Sequence, residues 1–144
     1  MNFTAMLKMP IGQSEFFIWG EALWCRNWQS HVIPSAEVER HIMETARRMD
    51  LIRNFFGVPL RVTSWLRPPA YNVLVRGAER SRHLTGQACD FIVYDVSADV
   101  ARARLLPHLG DFNIRMENLP GSDWIHIDTA CTENMPPALR YFKP

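Results

Sequence analysis

Phe112-Asn113-Ile114-Arg115-Met116-Glu117-Asn118-Leu119-Pro120-Gly121-Ser122-Asp123-Trp124-Ile125-His126-Ile127-Asp128-Thr129 decides the fold class. Residues 112–116 and 124–129 alternate apolar and polar side chains, so both read as strands. Leu119-Pro120-Gly121-Ser122 between them reads as a turn, and the short link makes the pair a hairpin. Working outward, 88–94 and 60–65 read as two further strands. Ser97 caps a helix that runs through Val100 and Leu105 and closes at Pro107 and Gly110. Arg67-Pro68-Pro69 ends the strand at 60–65, residues 70–75 form a short helix, and 77–86 is a polar loop. Upstream, Ser35 caps a long helix with Glu37 and Glu39 in its first turn, where negative charge suits the helix dipole. Val38, Ile42, Met49, Ile52 and Phe56 form its buried stripe, and Gly57 followed by Pro59 stops it. A hairpin at the end of this order favours an α+β fold over a doubly wound parallel sheet.

The chain has 144 residues, with 47% hydrophobic and 22% charged. That is one core, and such a chain buries roughly 70% of its unfolded surface without disulfides. Disorder, collagen and coiled coil are excluded as descriptions of the whole chain. The net charge of +1 makes no electrostatic case for nucleic acid. Only Lys8 and Lys143 are lysines, and the other fourteen basic residues are arginines; genome composition is the plain explanation. No apolar run reaches the roughly 18 residues of a membrane span. The first residues lack the charged start and apolar centre of a secretory signal, so synthesis in the cytoplasm is expected. Cys25, Cys89 and Cys131 are odd in number and widely spaced, unlike a disulfide framework or a thiolate zinc site. Residues 1–33 are aromatic-rich, with a short helical piece near 15–25, and are expected to pack on a single domain spanning 1–144. A monomer is expected.

Five histidines are present. His31, His41 and His108 have no carboxylate pattern around them and read as structural. His83 and His126 differ. His83 lies in Ser81-Arg82-His83-Leu84-Thr85-Gly86-Gln87-Ala88-Cys89-Asp90, where Gly86 lets the backbone turn back so that loop and strand residues meet. His126 lies in a stretch whose alternation puts Trp124, His126 and Asp128 on one face. Two histidines and a carboxylate are the three protein ligands of a catalytic zinc, which lowers the pKa of bound water and polarises a carbonyl. The spacing alone also suits a capped turn and a satisfied strand histidine.

Ser81-x-His83-x-x-Gly86-x-Ala88-x-Asp90, followed by His126 in an Asp-x-x-His segment, resembles the M15 zinc peptidases. Ser64-Trp65-Leu66-Arg67-Pro68-Pro69-Ala70-Tyr71-Asn72 resembles that family's Ser-x-x-Arg-x-x-x-Tyr-Asn segment. The resemblance covers about residues 33–129. It implies a Hedgehog/DD-peptidase-like fold: a small antiparallel sheet flanked by helices, with a zinc cleft. It implies one zinc per chain on His83, Asp90 and His126, and Arg67 as the oxyanion stabiliser. Ser81, Tyr71 and Trp124 are implied to meet substrate. The general base falls three residues before the last histidine, on Asp123, which must then lie in the turn. Asp128 is the alternative, or orients a ligand from behind, and Glu117 ranks third. Some carboxypeptidases of the family carry a further histidine where Gly121 stands here. Cys89 reads as a buried small residue. The implied reaction is hydrolysis of a peptide bond in the peptidoglycan stem peptide, as a D-Ala-D-Ala carboxypeptidase or an L-Ala-D-Glu endopeptidase. The size suggests a phage lysis or virion-associated enzyme acting on the cell wall. A non-catalytic zinc-containing module of the same fold is the rival.

Overall fold

In the computed structural model, which describes residues 2–144, the chain begins with α1 (Phe3–Met6), α2 (Trp19–Leu23) and a two-stranded ribbon, β1 (Trp24–Cys25) with β2 (Ser30–His31). Then follow α3 (Ala36–Phe56), β3 (Leu60–Ser64), α4 (Pro69–Leu74), β4 (Ala88–Val93), α5 (Ala98–Leu105), β5 (Arg115–Glu117), β6 (Ile125–Asp128) and β7 (Tyr141–Phe142). The main sheet has the order β3-β4-β6-β5-β7, antiparallel except for the β5–β7 pair.

The long helix forms as its signals dictate. Ser35 Oγ accepts the Val38 N–H, and Gly57 ends the helix in the left-handed conformation at φ 69. Ile42, Ala46, Met49, Ile52 and Phe56 bury one face. They join Ala101 and Leu105 of α5 and Cys89, Phe91, Val93, Met116, Ile125 and Ile127 of the sheet in one hydrophobic cluster. Each fully buried Ile or Phe there contributes about 1.5–3 kcal/mol. Ile11, Phe17, Trp19, Ala22 and Leu23 belong to the same cluster, so the N-terminal segment is part of this core.

Two expectations need correction. Residues 112–114 are not strand: Asn113 sits at φ 52, and the Ile114 N–H donates to Leu109 O, so a turn occupies the place and β5 starts at Arg115. The buried Arg48 and Arg140 guanidinium groups take the carbonyls of Asn113 and Ile114, which a sheet partner would otherwise need. At the other end, β7 adds an unforeseen parallel edge against β5.

The sheet has a core face and a cleft face, set by strand alternation. Cys89, Phe91, Met116, Ile125 and Ile127 take the core face, which leaves Asp90, Arg115, Glu117, His126 and Asp128 for the other. Between α4 and β4 the chain makes a 3-10 turn, Arg82–Thr85, that ends at Gly86 with φ 76. A Cβ on Gly86 would come within 2.7 Å of Ile42 and 3.2 Å of Val38, so α3 packs directly on this backbone. Gly86→Ala is therefore expected to destabilise by about 1–3 kcal/mol, through backbone strain and overlap together. Thermal melting checks this; an unchanged Tm would mean that α3 gives way freely.

Candidate metal centre and cleft

Four neighbouring strands lay out the site. Asp90 of β4 pairs in register with Ser64 of β3 on one side and His126 of β6 on the other. In the β5–β6 register Arg115 meets Asp128 and Met116 meets Ile127, which sets Glu117 opposite His126. Ser64, Asp90, His126 and Glu117 thus form a row across the sheet. His83 reaches the row from the 3-10 turn, whose first N–H groups are capped by Ser81 Oγ, 3.2 Å from His83 N. Buried Trp65 fastens that turn: its indole N–H donates to Gly86 O at 3.0 Å, and its carbonyl accepts from His83 Nδ1 at 2.6 Å.

That last bond fixes the tautomer. With the proton on Nδ1, His83 Nε2 carries a lone pair, is buried and has no hydrogen-bond partner among the described residues. It lies 3.1 Å from Asp90 Oδ1. Two acceptors facing each other at this distance in a buried place repel unless a cation stands between them. His126 Nδ1 lies 2.7 Å from the same Asp90 oxygen, and the three ligand atoms fall within 4.8 Å of one another. Nitrogen, nitrogen and carboxylate oxygen suit zinc, and all three residues line the cleft.

The surroundings complete the set. Arg67 donates from Nε to Ser64 Oγ at 2.9 Å and from Nη2 to Asp90 Oδ2 at 3.0 Å, which leaves Asp90 Oδ1 for the centre. Asp128, 1% exposed, is gripped by two Arg115 N–H groups at 2.8 Å each and lies 3.8 Å from His126 Nε2. It faces the nitrogen that does not face Asp90, as an orienting group does. Burial opposes the His126 charge, but the Asp128 and Asp90 carboxylates outweigh it and raise its pKa to about 9. Burial likewise opposes ionisation of Asp90; where the facing imidazoles carry their protons, His83 and His126 together hold its carboxyl well below the ordinary range. Burial pushes the Cys89 thiol up, and its place in the core keeps it out of the site.

The cleft over this centre has a volume of about 700 Å³. Arg67, Ser81, Glu117, Trp124 and Asp128 line it together with His83, Asp90 and His126. Two residues that sequence reading placed at the site do not line it. Asp123 is exposed on the turn before β6 and is absent from the cleft wall, whereas Glu117 Oε2 lies 3.9 Å from His126 Nδ1. Tyr71 is 5% exposed; its hydroxyl accepts the Asn27 N–H and its ring meets Trp28 edge-on, so it anchors the N-terminal segment. Ser81 combines cleft exposure with its capping bond. His31 and His108 lie outside the cluster, and His41 bonds Thr85 O through Nδ1, bracing the 3-10 turn from α3.

No curated protein matches the chain. The family model described as Peptidase M15 matches residues 17–128, beginning inside the aromatic segment that the sequence motifs left unmatched. The match takes in His83, Asp90 and His126 and covers well over half of the chain, which therefore belongs to the peptidase M15 family.

Proposed function

We propose that the protein is a zinc-dependent peptidase that hydrolyses a peptide bond in the peptidoglycan stem peptide, and that it serves a phage in lysis or on the virion. One observation carries the metal part of this reading: the buried, unpartnered Nε2 of His83 faces Asp90 Oδ1 beside His126. Family membership supports the peptidase part. Arg67 and a cleft carboxylate beside the ligands favour catalysis over a purely structural zinc module.

His83, Asp90 and His126 would hold the zinc, which would supply a Lewis acid for the scissile carbonyl and acidify water. The protein's own groups do the rest. Glu117, beside His126 Nδ1 on the cleft wall, takes the proton of the attacking water and returns it to the leaving amine. Arg67 is held by Ser64 and Asp90 through Nε and Nη2, and its Nη1 makes no protein hydrogen bond among the described residues. That nitrogen is free to donate to the oxyanion. Arg67→Lys is expected to lower turnover about 100- to 1000-fold at saturating zinc, because an ammonium lacks the planar fork. Equal rates for wild type, Arg67→Ala and Arg67→Lys would remove Arg67 from the mechanism.

To hold zinc, His126 must give up its proton. The raised pKa of about 9 means that the metal-free protein keeps that proton at neutral pH. Apparent zinc affinity should therefore fall ~10-fold per pH unit below about 9. Stability of the metal-free protein moves the other way. A histidine whose folded pKa lies above its ordinary 6.5 contributes fully below 6.5, and the contribution is lost as pH rises toward 9. Melting of chelator-treated protein between these pH values should show a falling Tm, and titration with zinc a rising affinity. A flat affinity would mean that His126 is not a ligand.

The experiment that tests the function is digestion of purified peptidoglycan by the zinc-loaded protein, with the fragments identified by mass spectrometry. New termini within the stem peptide are expected, and they name the bond. No fragments from any peptidoglycan type would overturn the reading.

A further inference from the structure

The chain between α4 and β4 carries Arg76, Arg80 and Arg82, all exposed and all lining the cleft. None of them takes part in an ion pair among the described residues. The two arginines on the floor differ: Arg67 is matched to Asp90 and Arg115 to Asp128. Five arginine and three carboxylate side chains thus line the cleft of a chain whose net charge is only +1. With Arg67 and Arg115 matched, the three rim arginines outnumber the remaining cleft carboxylate, Glu117, and an excess of one sign concentrates ligands of the other.

The loop is built rather than slack. Gly77 N donates to Asn72 O at 2.8 Å, Asn72 Nδ2 to Ala78 O at 2.9 Å, and Ser81 N to Ala78 O at 3.0 Å. Gly77 abuts Asn72 so closely that a Cβ there would overlap its amide. Arg76 is held at φ 57, a left-handed conformation that a non-glycine residue rarely adopts. It follows Val75, the C-cap of α4, and ends that helix as a left-handed residue does, which fixes where the rim begins. Across the cleft, Leu119, Trp124 and Phe142 make an apolar wall. Arg115 lies over the Phe142 ring of that wall, but its charge is matched by Asp128, so the cations of the cleft without an ion pair stand on the 76–82 rim.

We propose that Arg76, Arg80 and Arg82 form a carboxylate-recognising subsite that reads a free carboxylate of the peptide near the scissile bond. The proposal rests on the peptidase reading of the cleft. Guanidinium groups pair with carboxylates through paired N–H donors, and exposed arginines with no internal partner have those donors to give. A stem peptide offers this chemistry twice: on the α-carbon of its D-glutamate, which is linked through the γ-carboxyl, and at its C-terminus.

The test uses the pentapeptide L-Ala-γ-D-Glu-L-Lys-D-Ala-D-Ala, its D-glutamate α-amide and its C-terminal amide. Zinc-loaded protein is assayed on all three, and metal-free protein is titrated with all three by calorimetry. At least one amide should lose ~10-fold in affinity and in kcat/KM, and the amide that suffers identifies the carboxylate. The triple variant Arg76→Gln/Arg80→Gln/Arg82→Gln should bind acid and amide alike, with KM raised, kcat held, and zinc content and Tm unchanged. Equal binding and cleavage of the three peptides by wild type would overturn the subsite and leave the peptidase reading intact. If wild type cleaves none of them, the calorimetry still decides the subsite, and the peptidoglycan digest decides the function.

Discussion

Replacing His126 or Asp90 with alanine releases the metal and abolishes turnover together: that is the expected result with the largest effect. Protein purified without added metal should carry close to one zinc per chain, and either variant should lose most of it. The reason is the ligand count. A catalytic zinc has three protein ligands, and two do not hold it against water and buffer. Asp90→Ala has a second consequence, since it leaves the part-buried Arg67 without its carboxylate. Its Tm should fall further than that of His126→Ala, where the removed group is an imidazole. Asp128→Asn offers a graded comparison: it touches His126 from behind, and such a change lowers metal affinity about 10- to 100-fold. Elemental analysis and chelator competition on the same samples separate these cases. Full activity in protein freed of metal would remove zinc from the mechanism.

Glu117→Gln should stop the chemistry without emptying the site. A positioned general base contributes about 100- to 10,000-fold, and the amide keeps the shape of the carboxylate while losing its basicity. Zinc content and melting should stay near those of the wild type, because Glu117 is no ligand and lies at a partly open edge of the cleft. Asp123→Asn is the necessary companion. With its carboxylate exposed on the turn and off the cleft wall, it should keep near-normal turnover. The opposite pattern, with Asp123→Asn inactive and Glu117→Gln active, would require the turn at residues 119–124 to fold inward when substrate binds. Metal-normal, turnover-poor behaviour in one variant only is what assigns the base.

The two aspects of the site differed in how far the sequence disclosed them. His83 and Asp90 sit seven residues apart across a glycine, and a capped turn feeding a strand is a local event that spacing reveals. The long helix was legible for the same reason: Ser35, the apolar stripe and Gly57 all lie within its own length. Glu117 was obscured by a boundary. Reading strand over residues 112–116 left Glu117 just beyond the strand, whereas starting β5 at Arg115 makes Glu117 strand and places it opposite His126. The buried guanidinium groups of Arg48 and Arg140 set that start, and they come from positions far away along the chain. Tyr71 lies within a motif that resembles the family's, yet motif matching does not say which way a ring faces; its partners Asn27 and Trp28 lie more than 40 residues upstream. The two-residue β1, β2 and β7 are too short for any alternation to register.

The row Ser64, Asp90, His126, Glu117 places three of its members on strands whose opposite faces are locked into the core. An insertion of one residue within β4 or β6 would turn ligands inward and core residues outward, so these strands tolerate no change of length. The 75–80 loop and the 118–124 turn carry no such face constraint, yet they hold Arg76, Arg80 and Trp124, whereas Ser81 and Arg82 belong to the turn that presents His83. On the proposed reading, reaction and selectivity are thus carried by separable parts of the chain. An engineer who wished to retarget the enzyme would graft or lengthen those two segments and leave the sheet untouched, and natural divergence has the same route open to it.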